Sequence, residues 1–417
     1  MRIIDLDRIY EIWVTITHNK SRSFLTAFGV FWGMFMLVLM VGAGNALNNG
    51  IMSQVEGFAA NSCFFWTDRT TEPYKGFQKG RHWNMLNSDI EIIKQRVPEL
   101  EHISPMLFGG SFENNIVRGE NAGTYQVKGV YPVYNSIEES RILKGRFINE
   151  IDIAEQRKVC LIGERVAEVL FDHGESPIGG MIKVHGIYFQ VVGVVTGMSN
   201  VSIGGQATES VVLPFSTMQQ AFHQGNIIHF MGATAKPGIK VKVVQDKISE
   251  TLRSLHQISP DDKDAVGSMN IEDQFTMFNN LFLGVSSLIW IVGLGTLLFG
   301  AIGVSSIMLV TVRERTKEIG VRRALGATPR SIISQILSES AVLTVIAGIA
   351  GIVLGVGILS AVGIALSQGD QFLKDPQISF GMAIGVLIIL VIVGVMAGFI
   401  PANRAMTIKP IDAIREE

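Results

Sequence analysis

Charge is scarce in this sequence. Asp, Glu, Lys and Arg make up 17% of 417 residues, where an ordinary soluble domain carries about 25%. The shortage argues against a chain wrapped entirely in water and turns attention to its apolar 47%. Cysteine is rarer still. Cys63 and Cys160 are the only two, far apart and in no metal-ligand or CxxC spacing. Two such residues exclude a disulfide framework. A single bridge is chemically allowed in an oxidising compartment, but unpaired thiols are the expectation. No HExxH, GxSxG or paired His/Cys set occurs, and no GxxxxGK[ST] phosphate loop. These absences remove the familiar metalloprotease, serine-hydrolase and nucleotide-hydrolysing signatures. No nucleic-acid partner is expected, and the formal net charge of -2 carries little information as a sum.

What is present is long apolar runs. Residues 23–55, 274–312, 340–369 and 376–403 contain no Asp, Glu, Lys, Arg or His. Each exceeds the ~20 residues a helix needs to cross ~30 Å of hydrocarbon. A cleaved signal peptide would have an apolar core of only about 7–15 residues. Residues 43–46 (AGNA) do offer the small side chains of a cleavage site. Ahead of the first run, Ile9, Ile12, Trp13 and Ile16 recur at helical spacing, the pattern of a helix lying on the membrane surface. Ion-driven carriers usually bury ionisable groups in the bilayer. Their absence from the runs argues against proton or sodium coupling and against a conventional ion channel.

Lys and Arg collect in three places: before the first run, between the second and third, and in the tail. By the positive-inside rule both termini are cytoplasmic. The pattern predicts a membrane protein with four transmembrane α-helices and a large α+β extracytoplasmic domain between helices 1 and 2. The expected boundaries are a cytoplasmic amphipathic helix at 1–22, spans at 23–46, 281–312, 339–367 and 378–401, and an outside domain of two α+β subdomains at 47–280. A cytoplasmic loop at 313–338, a short outside loop at 368–377 and a cytoplasmic tail at 402–417 complete the chain. GxxxG spacings at Gly29/Gly33, Gly351/Gly355, Gly381/Gly385 and Gly394/Gly398 allow close helix approach, within a bundle or at a dimer interface.

In the outside segment, period-two and period-3.6 patterns alternate. Strands are expected at 62–66, 124–131, 158–162, 181–184, 188–195, 210–213 and 227–235, with a turn at His185-Gly186. Helices are expected at 88–96, with Ser88 and Glu91 as a capping box, at 164–171, at 216–222 capped by Ser216, and at 240–255. Glu150 and Asp152 read as solvated loop carboxylates. Trp66, Tyr74, Trp83, Tyr131 and Tyr134 read as core, with a partner-binding face as the alternative.

The most informative stretch is residues 313–333, RERTKEIGVRRALGATPRSII. It predicts an extension of span two, a short amphipathic helix broken at Gly326, and a new helix with Pro329 in its first turn. Apolar Ile319, Val321, Ala324 and Leu325 lie among the charges, which suits docking into a partner's groove better than a solvated loop. This stretch resembles the coupling-helix signature of the MacB/FtsX-type permease family, R-E-R-x-x-E-I-G-I-R-x-A-L-G-A. Residues 401–414, PANRAMTIKPIDAI, are similar to that family's closing P-A-x-x-A-x-x-x-x-P-x-x-A-L, and residues 21–26, SRSFLT, to its approach to span one. Gly145-Arg146-Phe147, 159–170, Pro177-Ile178-Gly179 and 191–195 resemble its periplasmic core domain.

The resemblance implies an ABC transporter permease of the bacterial inner membrane that works as a homodimer or heterodimer. The sequence departs from the MacB exporters proper, which carry an ATPase domain ahead of span one: with no phosphate loop here, ATP and Mg are expected on a separate ABC ATP-binding subunit, with no ATPase and no cofactor on this chain. ATP-driven movement would then pass through the helices to the outside domain, a mechanism called mechanotransmission. The implied contact residues are Arg313, Glu314, Glu318, Ile319, Gly320, Arg322, Arg323, Leu325 and Gly326. In that reading Arg322 and Arg323 pair with carboxylates on the ATPase, while Ile319 and Leu325 fill its groove. Membrane lipid, a periplasmic adaptor and a TolC-type channel are partners by resemblance. The alternatives are lipoprotein release, a membrane-anchored envelope sensor or scaffold, and a membrane enzyme.

Overall fold

The computed structural model describes residues 20–110, 113–172, 174–198, 202–366 and 376–406. The expected surface helix at 1–22 falls outside them but for its last residues, as do most of the short loop at 368–377 and of the tail. The chain divides into two compact units, Met52–Asn279 and Met1–Ile51 with Asn280–Glu417.

In the membrane unit, four helices are long and apolar enough to cross a bilayer. They are α1 (Lys20–Val55), α7 (Ile271–Glu314), α9 (Pro329–Leu366) and α10 (Phe380–Met406), with the short α8 (Thr316–Ala324) between the second and third. Even the shortest span, 27 residues, is about 40 Å long at 1.5 Å per residue. Glycines set the contacts. A Cβ on Gly33 would lie 3.0 Å from the Thr296 carbonyl oxygen of α7, and one on Gly351 would lie 2.8 Å from the Phe31 carbonyl oxygen of α1. Gly394 backs onto Thr344 and Gly398 onto Ser340, which joins α10 to α9. The Ser340 hydroxyl donates to the Gly394 carbonyl at 3.3 Å. Two of the four GxxxG pairs thus mark backbone approaches and Gly394/Gly398 seats side chains of α9, while Gly381 and Gly385 face open space.

The other unit is built on a mixed sheet. Its strands are β1 (Ser62–Thr67), β2 (Met85–Leu86), β3 (Leu100–Phe108), β4 (Ile116–Arg118), β5 (Asn121–Gly123), β6 (Gln126–Val130) and β7 (Ser140–Gly145). These are followed by β8 (Val159–Gly163), β9 (Met181–Val184), β10 (Ile187–Gly197), β11 (Ser210–Pro214), β12 (Ile227–Ile228), β13 (Phe230–Ala235) and β14 (Val266–Asn270). The helices are α2 (Asn87–Arg96), α3 (Glu150–Ala154), α4 (Glu164–Leu170), α5 (Phe215–Ala221) and α6 (Val241–Leu255). Twelve strands run β14-β1-β13-β3-β6-β11-β8-β10-β9-β4-β5, with β7 beside β10, and β2 pairs β12 separately. Among the described strands, only β10 with β8 and β11 with β6 are parallel. Successive residues point to opposite faces. Cys63 and Phe65, Cys160 and Ile162, and Val211 and Leu213 enter one buried cluster, whereas Phe64, Leu161 and Val212 enter the other. Both faces are covered, and β8 (VCLIG) and the middle of β11 (Val211–Leu213) are accordingly continuous apolar runs.

The two thiols are fully buried and unpaired. Five strand spacings separate β1 from β8, roughly 24 Å at about 4.8 Å each. A disulfide tolerates less than about 7 Å between Cα atoms.

Several local expectations need correction. Helix α2 begins at Asn87, so Ser88 lies inside it. No capping box forms, since the N-cap Leu86 has no side-chain acceptor, and Asp89 supplies only half of one, accepting from the Leu86 N–H at 2.8 Å. Ser216 does not cap α5, which follows Pro214, and its hydroxyl donates to the Ile153 carbonyl at 2.5 Å. Residues 227–235 form two strands in two sheets, not one. Asp152 is not solvated: it is fully buried. Arg146 Nη1 and Nη2 donate to its two oxygens at 2.6 and 3.0 Å, and the Asn149 N–H donates at 3.1 Å. Burial pushes this carboxyl up, but the Arg146 and Asn149 hydrogen bonds together outweigh it and hold it below the usual carboxylate range. Of the aromatic residues, Trp83 and Tyr134 are core, whereas Trp66, Tyr74 and Tyr131 are half-buried.

Candidate functional site

The basic loop folds into a helical hairpin at one end of the membrane unit. Helix α7 ends at Glu314. Arg315, just outside helical geometry with φ -92° and ψ 13°, turns the chain into α8. Glycine at 326 ends α8. Its φ of +101° is a conformation that costs an L side chain about 1–2 kcal/mol. The Gly326 N–H donates to the Arg323 carbonyl at 3.1 Å and the Ala327 N–H to the Arg322 carbonyl at 3.0 Å. These two bonds form a Schellman cap. Pro329 then starts α9, where its missing N–H costs nothing.

One face of α8 locks onto the hairpin. Ile319 is buried and clusters with Val312, Ile332 and Ile336. Arg322 donates to Gln335 Oε1 at 2.9 Å on α9 and to Glu318 Oε1 at 3.0 Å on its own helix. Arg315 reaches the buried carboxylate of Glu339 at 3.4 Å. These groups surround a cleft of about 30 Å³, room for a water or two.

The opposite face is open. Lys317, Val321, Ala324, Leu325 and Gly326 are exposed on it, Leu325 by 84% of its surface, and Arg313 and Glu314 at the end of α7 and Glu318 at the cleft rim are exposed as well. Lys317, Val321 and Leu325 follow at steps of four, a single stripe. Ile319, which the resemblance implies fills a partner's groove, is instead bound into the chain's own core. Gly320 is buried beside it, and Arg322 is engaged within the hairpin. Val321 and Ala324 take the place of Ile319 on the outer face. Spacing carried that signal, since residues 319 and 321 differ by about 200° around a helix and 321 and 325 by about 40°. Arg315 and Glu339, not among the expected contact residues, are what fasten α8 from behind.

The family model of the MacB-like periplasmic core domain matches residues 23–251, and that of the FtsX-like permease C-terminal region matches residues 290–410. The chain belongs to the MacB/FtsX-type ABC permease family. Among curated relatives, the pyoverdine export ATP-binding/permease protein PvdT of Pseudomonas putida is 30% identical over 99% of this chain and 60% of its own length. The macrolide export ATP-binding/permease protein MacB of Bdellovibrio bacteriovorus is 28% identical over 99% of this chain and 62% of its own. The chain therefore spans about three fifths of these relatives. The crystal structure of the periplasmic region of MacB from Actinobacillus actinomycetemcomitans matches with a TM-score of 0.43 and 20% identity, over 55% of this chain and 98% of that one. Helix α8 and the turns on either side of it lie wholly within the FtsX-like match.

Proposed function

We propose that this chain is the membrane and extracytoplasmic part of an ABC exporter, and that the open face of α8 docks onto an ATP-binding module. The observation that carries the proposal is the two-faced construction of α8. Ile319, Arg322 and Arg315 hold its back, while Val321, Ala324 and Leu325 present an apolar stripe among charges. Apolar side chains exposed on a fastened helix are poised to enter a groove at little entropic cost. Arg313 and Lys317 at the start of the stripe suit carboxylates on the same partner. ATP hydrolysis takes place in that module, and no step of it falls to residues described above.

In this reading the Lys- and Arg-rich loop and both termini are cytoplasmic, and the sheet-bearing domain lies outside. Helix α7 is unbroken over 44 residues, with β14 immediately before it and α8 immediately after. A push on α8 would therefore enter a continuous rod whose far end leaves the sheet, as mechanotransmission requires. Two permeases with two ATP-binding modules make the working unit. Relatives named for pyoverdine and macrolide export support efflux over lipoprotein release.

Co-expression with an adjacently encoded ATP-binding subunit, followed by mass measurement and ATPase assay in mild detergent, tests the proposal. A 2:2 complex that hydrolyses ATP is expected. A permease that never retains such a subunit would favour a sensor or scaffold instead.

A further inference from the structure

Strand β7 is an open sheet edge. On one side of β10, β9 pairs with the first part (Ile187–Gln190) and β7 with the second (Gly193–Gly197). Beyond β9 the sheet continues to β4 and β5, but beyond β7 no described strand follows. An antiparallel strand paired on one side turns half of its backbone N–H and C=O groups outward. The residues of β7 after Ser140 are all exposed, including Ile142 and Leu143, each at 40%.

The sheet's other edges are short, polar or covered, whereas β7 is long and exposed and carries only two cations and a bulge. Strand β14 is buried or half-buried along its length, and β5 is three residues of Asn-Ala-Gly. Such short, polar or covered edges are the usual means of preventing strand addition. In β7 the register slips between Val194 and Val195, which leaves Leu143 as an extra residue, yet the apolar pair stays on the surface.

We infer that β7 is a docking edge for an extended, acidic segment of an extracytoplasmic protein, added as an antiparallel strand. Charge selects the occupant. Arg141 and Lys144 bracket Ile142 and Leu143. A second copy paired in the register that matches the apolar residues would set Arg141 opposite Lys144 of its partner, and directly opposed like charges are destabilising. A strand reading acidic-apolar-apolar-acidic meets both cations and covers both apolar side chains. This inference is independent of the role of α8.

The test uses the full chain in detergent and two ten-residue peptides, one centred on Glu-Val-Val-Glu and the other on Lys-Val-Val-Lys. Fluorescence anisotropy should show the acidic peptide binding at least about tenfold tighter, with hydrogen-exchange protection appearing at residues 141–144. The exposed double variant Arg141→Glu/Lys144→Glu should invert the preference, which a folding defect would not do. Three results would overturn the inference: no saturable binding of the acidic peptide, a preference unchanged by the double variant, or cross-linking of two copies through Leu143→Cys.

Discussion

Buried Asp152 carries its negative charge because of what touches it. Arg146 grips both of its oxygens, and the cap of α3 adds a backbone donor. Replacing Arg146 with Met leaves a buried carboxylate without its main partner and should cost about 2–3 kcal/mol near neutral pH. Because the folded carboxyl sits below its ordinary value, its contribution is complete above about pH 4 and is lost as pH falls through the folded value. Denaturation from pH 7 down to 3 should show the gap between wild type and Asp152→Asn closing only at the acid end. The cysteines pose a simpler case. Burial pushes the Cys63 thiol up to about 12 and raises Cys160 as well, and the thiolate is the reactive form. Neither should be alkylated at pH 8 until denaturant is added, as mass spectrometry would show. At this scale the sequence was only partly legible. Asp152 reads as a solvated loop acid because its partner, Arg146, is fixed by the turn at Gly145 and not by any periodic pattern.

Among the elements, helices with a clear stripe were the easiest to read. Helix α6 buries Val241, Val244, Ile248 and Leu252, the spacing visible in the sequence. The hairpin of β9 and β10 turns at His185 and Gly186, both at positive φ, as a tight two-residue turn demands. Strand β3 was not legible, although it sits between β13 and β6. It contains Pro105, and proline ordinarily argues against an interior strand. The registers explain the exception: β6 pairs only with Met106–Phe108, so Pro105 has a strand partner on one side alone. In the membrane unit, glycine spacing foretold contacts but not partners. The Gly351 contact with α1 predicts that Gly351→Val, which adds bulk where a Cβ already meets Phe31 and Met34, should cost about 1–3 kcal/mol. Gly385→Val, which faces open space, should cost much less. Thermal unfolding of the two variants in one detergent makes the comparison.

The whole molecule joins a sheet-bearing unit to an apolar helical unit by two continuous helices, α1 and α7. Composition and charge-free runs made that plan legible, and the loop's motif made the family legible. Helical spacing puts Ile319 and Leu325 on different faces of α8, but which face points outward is decided by the packing, because buried Ile319 and exposed Leu325 are chemically alike. In our proposal the outward stripe of α8 is where the ATP-binding module docks. Leu325→Asp tests it most directly, measured as the affinity of the permease for its ATP-binding subunit, with thermal stability followed in parallel. With 84% of Leu325 exposed, the account predicts unchanged stability, at least about tenfold weaker association and loss of transport. Association and transport at wild-type levels in a stably folded Leu325→Asp permease would contradict it.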